Sequence, residues 1–91
     1  MKGKDLSLFI DDLYHNPELE IKYGNMRYMI NGYVENGMYI LSVDTIEAES
    51  KTIFFTQNAS RTECVATFEE AKIFSGKTIY EAESEITVFF G

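Results

Sequence analysis

The sequence predicts an α+β fold: a single domain whose mainly antiparallel β-sheet is covered by helices, in the order α-β-β-β-β-α-(α)-β over residues 1–91. Three observations predict it. Two-residue turn signals at Gly24-Asn25 and Asn36-Gly37 separate alternating segments, the pattern of consecutive hairpins. Apolar residues recur near the N-terminus at helical spacing. Ser60-Arg61-Thr62-Glu63 and Thr78-Ile79-Tyr80-Glu81 both read as capping boxes that open helices in the C-terminal third.

The first helix is expected over roughly residues 4–15. Leu6, Phe9, Ile10, Leu13 and Tyr14 fall on one stripe, and Asn16-Pro17 supplies the stop. Asp5 suits the N-cap or the positive helix start, and His15 suits the last turn, where a cation is favoured. Three strands follow at 18–23, 26–35 and 38–44.

The two turns make independent statements about register. A turn at 24–25 opposes Tyr23 to Met26, Ile21 to Tyr28 and Leu19 to Ile30. A turn at 36–37 opposes Val34 to Tyr39, Gly32 to Leu41 and Ile30 to Val43. Directly opposed residues share a face, so both turns put the even positions of the middle strand on one apolar face. Gly32 there marks a bulge or a flat spot under a helix.

Residues 45–51 form a polar loop, and the β-branched and aromatic run 52–57 is a fourth strand. A second helix runs from its Ser60 cap to about Lys72 with Cys64, Val65, Phe68 and Ala71 on its apolar stripe. A turn at Ser75-Gly76, a short helix at 79–83 and a last strand at 86–90 complete the chain. That strand is expected at a sheet edge.

Composition excludes several functions. The 91 residues are 45% hydrophobic, too apolar for a disordered acidic tail. Fifteen acids against eight bases, a formal charge of −7, argue against direct nucleic-acid binding, which needs Lys and Arg to neutralise phosphates. A chain of this mass buries about 64% of its unfolded surface, enough for one core. The lone Cys64 rules out an internal disulfide and points to a cytoplasmic setting. No apolar run reaches the ~18 residues of a membrane-spanning helix. The basic start of the chain is interrupted by Asp11 and Asp12, so it reads as part of the fold and not as a signal peptide.

Catalytic sets are missing by inventory. Cys64 lies mid-helix on an apolar stripe next to Glu63, the setting of an inert buried thiol. His15 reads as a surface cap, and no Ser-His-Asp grouping forms. No zinc or calcium spacing occurs, so no metal or other cofactor is expected. No carboxylate pair is singled out among the 15 acids for general acid–base work.

Two features carry the functional reading. One is an acidic surface made by Asp11, Asp12, Glu47, Glu49, Glu69, Glu70, Glu81, Glu83 and Glu85. It serves solubility, or it complements a basic partner. The other is Met29, Tyr33, Met38 and Ile40, apolar residues on the sheet face opposite the core. A helix or the C-terminal segment covers that patch, or it is an interface, including one between two copies of the chain.

The segment Phe68-Glu69-Glu70-Ala71-Lys72-Ile73-Phe74-Ser75-Gly76-Lys77-Thr78-Ile79-Tyr80-Glu81, with Glu83 to Ile86 after it, resembles a loose group of short bacterial proteins often encoded by phages and mobile elements. The likeness covers about a fifth of the chain. Its Gly76-Lys77-Thr78 is not a phosphate loop, because the upstream glycine is absent and Ala occupies position 71. By size and acidity the chain is also similar to anti-CRISPR and other anti-defence inhibitors. The resemblance implies a non-enzymatic inhibitor whose acidic surface occupies the groove of a basic, nucleic-acid-binding host protein. The alternatives are an assembly module that dimerises through the sheet face, and a domain with a carboxylate-based site.

Overall fold

The computed structural model describes residues 1–47 and 49–90, Phe90 by its backbone only. The elements are α1 (Leu6–Asp12), β1 (Glu18–Tyr23), β2 (Met26–Glu35), β3 (Met38–Thr45), β4 (Thr52–Asn58), α2 (Arg61–Glu70), α3 (Ile79–Ala82), a 3-10 turn at Glu83–Glu85, and β5 (Ile86–Phe90). All five strands form one antiparallel sheet in the order β4-β3-β2-β1-β5. The α+β class and the element order are as the sequence predicts. The accessible surface, 5185 Å², is close to the roughly 5,400 Å² expected for a folded chain of this mass.

The hairpin registers agree residue for residue with the turn argument. Leu19 opposes Ile30, Ile21 opposes Tyr28 and Tyr23 opposes Met26. Ile30 opposes Val43, Gly32 opposes Leu41 and Val34 opposes Tyr39. Asn36 and Gly37 both adopt positive φ, as a type I′ turn requires. The shared face becomes the core. Leu19, Ile21, Ile30, Leu41 and Val43 pack under Phe9 of α1 and Leu13 just after it, Cys64, Val65 and Phe68 of α2, and Ile79 and Ala82 of α3. Met26 and Val34, expected on that face, are exposed near the hairpin ends.

Gly32 is no bulge. Its amide donates to the Pro17 carbonyl at 2.9 Å, and a Cβ there would run into Pro17 and come within 2.6 Å of the Tyr39 hydroxyl. The strand is bare at this point because the chain leaving α1 crosses it.

Three local expectations are corrected. First, α1 is shorter than residues 4–15: Leu13, Tyr14 and His15 donate to carbonyls three residues back, which tightens the last turn. His15 therefore lies beyond the helix proper, and the Asp5 side chain makes no cap hydrogen bond. Second, Ser60 accepts from the Glu63 amide, but its own N–H donates to Asn58 Oδ1 at 2.8 Å, so that box is only half formed. The Thr78–Glu81 box is complete. Third, α2 ends at Glu70 and not near Lys72, because Ala71 turns extended. That turn delivers Phe74 to the core, edge-on to Tyr23 at 5.5 Å and Tyr28 at 6.0 Å.

The last strand does sit at an edge, antiparallel to β1. Its outer side is covered by Lys2, which pairs parallel with Thr87 through backbone hydrogen bonds of 3.0 and 2.8 Å.

Candidate functional site: the open sheet face

The helices share one core with one face of the sheet. Among the described residues no helix lies over the other face. The sequence left Met29, Tyr33, Met38 and Ile40 either covered by a helix or the C-terminal segment, or presented as an interface; α1, α2 and α3 pack on the core side and do not cover them.

Strand register lays out this open face. Gln57, Ile40 and Tyr33 form one row from β4 to β2, and Phe55, Ser42, Asn31 and Glu18 form the next across to β1. Met38 opposes Glu35 at one end, and Asp44, Met29 and Glu20 form a row toward the other. Ile40 is only 2% exposed although it lies outside the core cluster, so its cover comes from cross-strand neighbours. Met29 and Met38 are half-buried, while Tyr33 and Phe55 are 42% and 55% exposed.

At a far corner the Arg27 guanidinium stacks over Phe89 at 4.7 Å and pairs with Glu20 at 3.3 Å. Phe55 and Phe89 thus extend the patch beyond the four residues read from sequence. The signal available was the aromatic run in each strand. The face each aromatic takes depended on bulges at Ile53, between Val43 and Asp44 of the partner strand, and at Phe89, between Glu20 and Ile21.

The nine candidate acids lie elsewhere. Asp11 and Asp12 are on or at the end of α1, Glu69 and Glu70 end α2, Glu81 is in α3, Glu83 and Glu85 are in the 3-10 turn, and Glu47 and Glu49 are in the loop after β3. Six have local partners. Asp12 pairs with Lys4, Asp11 lies 3.9 Å from His15, Glu83 is 3.3 Å from the Met1 amino group and Glu85 is 3.1 Å from Lys77. Glu69 accepts from the Tyr80 hydroxyl, and Glu81 closes the α3 capping box. The Thr78 N–H bond to the Glu81 carboxylate lowers its pKa, consistent with a capping role. Among the described residues no ion pair involves Glu47, Glu49 or Glu70.

Tyr39 is a junction that sequence reasoning passed over. Its hydroxyl donates to the Leu13 carbonyl at 2.6 Å and accepts from the Asn16 amide at 3.2 Å. Arg61 stacks over its ring at 4.3 Å and donates to the Tyr14 carbonyl and Asn16 Oδ1, joining α1 to the start of α2. The Cys64 thiol donates to the Tyr39 carbonyl at 3.3 Å, and burial pushes its pKa up, away from the reactive thiolate.

Burial also raises the pKa of Tyr28 and Tyr39, while the hydrogen bond to Glu69 takes Tyr80 up to about 12. A folded pKa above the unfolded value near 10 contributes stability that is full below pH 10 and lost as pH rises through the folded pKa. Alkaline titration at 295 nm is therefore expected to show a late wave among the six tyrosines, accompanied by unfolding above pH 10. Tyr80→Phe should remove the part of it near pH 12. A single wave at pH 10 with wild-type structure intact would contradict this assignment.

A shallow hollow of about 160 Å³ is lined by Asp12, His15, Pro17, Glu18 and Leu19. It is smaller than the ~300–1,000 Å³ of ordinary ligand sites. Among the described residues no three His, Cys, Asp or Glu side chains gather as metal ligands, and no helix is long and apolar enough to cross a membrane. No protein-family model matches the chain, and neither does any curated protein or solved structure.

Proposed function

We propose that this chain is a non-enzymatic protein-binding module that docks its partner on the open face of the sheet. The observation that carries the reading is the one-sided packing of the helices, which leaves Tyr33, Phe55, Met29 and Met38 at the surface around a buried Ile40. Aromatic and Met side chains on a flat, uncovered sheet are the composition of an interface core. The inert Cys64 and the small hollow beside His15 support a role without chemistry.

The acidic helical side suggests what kind of partner. Seven of the nine candidate acids sit on or beside the helices and the 3-10 turn, and Glu18, Glu20, Glu35 and Asp44 lie on the open face itself, so the charge steers approach of a basic protein and rejects acidic ones. A basic partner, such as a nucleic-acid-binding protein of the host, is the favoured class. A second reading makes the acidic side itself the inhibitor surface, in the manner of an anti-defence protein. It is favoured by the −7 charge, but it has to draw on acids of which six already hold local contacts.

Affinity capture from bacterial lysate, followed by titration of the recovered partner, separates the two readings. On the sheet-face reading, Tyr33→Glu with Met38→Glu weakens binding by about 30-fold, the loss of one interface hot spot, while Glu47→Lys with Glu70→Lys changes it little at high salt. The opposite pattern, with binding abolished by salt and by charge reversal alone, selects the acidic surface. Indifference to both pairs overturns both readings.

A further inference from the structure

We propose that Asn36 is a site of spontaneous deamidation, converting with water to aspartate and isoaspartate in the folded protein in preference to the chain's other asparagines. The reaction requires the main-chain nitrogen of the following residue to reach the asparagine side-chain amide carbon, Cγ. A following glycine favours it, because the missing Cβ leaves the approach open. Of the five asparagines, two precede glycine: Asn31 and Asn36. Asn16 precedes Pro17, which has no N–H to give up, Asn25 precedes Met26, and Asn58 precedes Ala59.

The fold separates the two Asn-Gly pairs that the sequence makes alike. Asn31 lies within β2, paired with Glu18 of β1 on one side and Ser42 of β3 on the other. Gly32 after it is buried, and its amide is held by the Pro17 carbonyl at 2.9 Å. Freeing that nitrogen means parting the sheet and lifting the chain that crosses it. Asn36 and Gly37 instead form the tip of the β2–β3 hairpin, both exposed and both at positive φ, 53° and 76°. Nothing stands within 4 Å of where a Gly37 Cβ would be, and the Gly37 amide has no hydrogen-bond acceptor among the described residues. Only the turn has to relax to bring this nitrogen onto Cγ, and openings confined to a loop tip lie at the low end of local stability.

Water is the only co-reactant. The Gly37 nitrogen loses its proton and bonds to Asn36 Cγ, the bond from Cγ to the side-chain nitrogen breaks, and ammonia leaves carrying that proton. Water then opens the five-membered imide. Addition at Cγ gives aspartate, and addition at the main-chain carbonyl gives isoaspartate, in which the chain runs through Cβ and Cγ. Nothing is oxidised or reduced. Either product adds a negative charge beside Glu35. Aspartate tolerates positive φ and keeps the turn. Isoaspartate lengthens the backbone by one carbon, so the two-residue turn no longer closes Glu35 on Met38. The proposal does not depend on what the open face binds.

The test is incubation of the full chain at mildly alkaline pH, with and without urea, followed by tryptic mapping and labelling with an isoaspartate methyltransferase. Peptide 28–51 holds both Asn-Gly pairs, and its fragmentation assigns the gain in mass to one or the other. In the folded chain Asn36 should convert at least about tenfold faster than Asn31, and in urea the two rates should converge. Asn36→Gly, which keeps a turn of residues tolerant of positive φ, should abolish the acidic species seen by anion exchange. Asn36 staying intact in the folded protein overturns the proposal, and so does folded-state conversion of Asn31 at an equal or greater rate. A preference for Asn36 that survives in urea overturns the part given to the fold. Acidic species that persist in Asn36→Gly would place the reaction at another asparagine and overturn the assignment.

Discussion

Phe68→Ala is expected to lower the unfolding free energy by about 3–5 kcal/mol, the range for truncating a fully buried aromatic. Phe68 is 1% exposed and stands between two rings, Phe9 of α1 at 6.3 Å and Phe54 of β4 at 5.7 Å. The cavity left by alanine would open at the junction of both helices with the sheet, where rigid elements on three sides limit collapse. Urea denaturation measures it. With a slope near ~1 kcal/mol/M for a small domain, the midpoint should fall by about 3 M with the slope unchanged. A loss below about 1 kcal/mol would mean that α2 does not hold the core together.

Gly32→Val is expected to cost about 3–5 kcal/mol, against the direction that strand propensity predicts. In an unobstructed strand valine is preferred to glycine by up to ~1 kcal/mol. Here the new Cβ meets Pro17, the Tyr39 hydroxyl at 2.6 Å and Leu41 at 3.0 Å. Overpacking costs about 1–3 kcal/mol, and displacing the Tyr39 hydroxyl strands the Leu13 carbonyl at about 1–3 kcal/mol more. For a domain of this size the melting temperature should fall by about 15 °C or more. A valine variant as stable as wild type would show that the Pro17 crossing moves away freely. In that case the α1–β2 contact would have no role in placing the helix.

The central meander was legible because its information is local. Asn36-Gly37 and Gly24-Asn25 each set a register, and the two settings agree only if β2 keeps its even residues on one face. The membership of Met29, Tyr33, Met38 and Ile40 in the opposite face follows from the same parity. Phe55 and Phe89 were not legible, because single-residue bulges in β4 and β5 reset the parity, and nothing in a short aromatic run announces a bulge. The acids show the same division. Their positions on α1, α2 and α3 could be read, but the spatial pairing of Glu69 with Tyr80, or of Glu83 with the Met1 amino group, joins residues far apart in the chain.

By itself, then, the sequence determined the α+β class, the strand registers of the meander and the apolar stripes of α1 and α2. Those are consequences of period, turn chemistry and composition, which act over a few residues. Tertiary structure alone decided that the helices pack on one side of the sheet and that, among the described residues, Lys2 covers the outer edge of β5 while no strand lies beside β4. These are outcomes of where the chain crosses itself, as at Pro17 over Gly32, and crossing depends on packing between elements that no local pattern encodes.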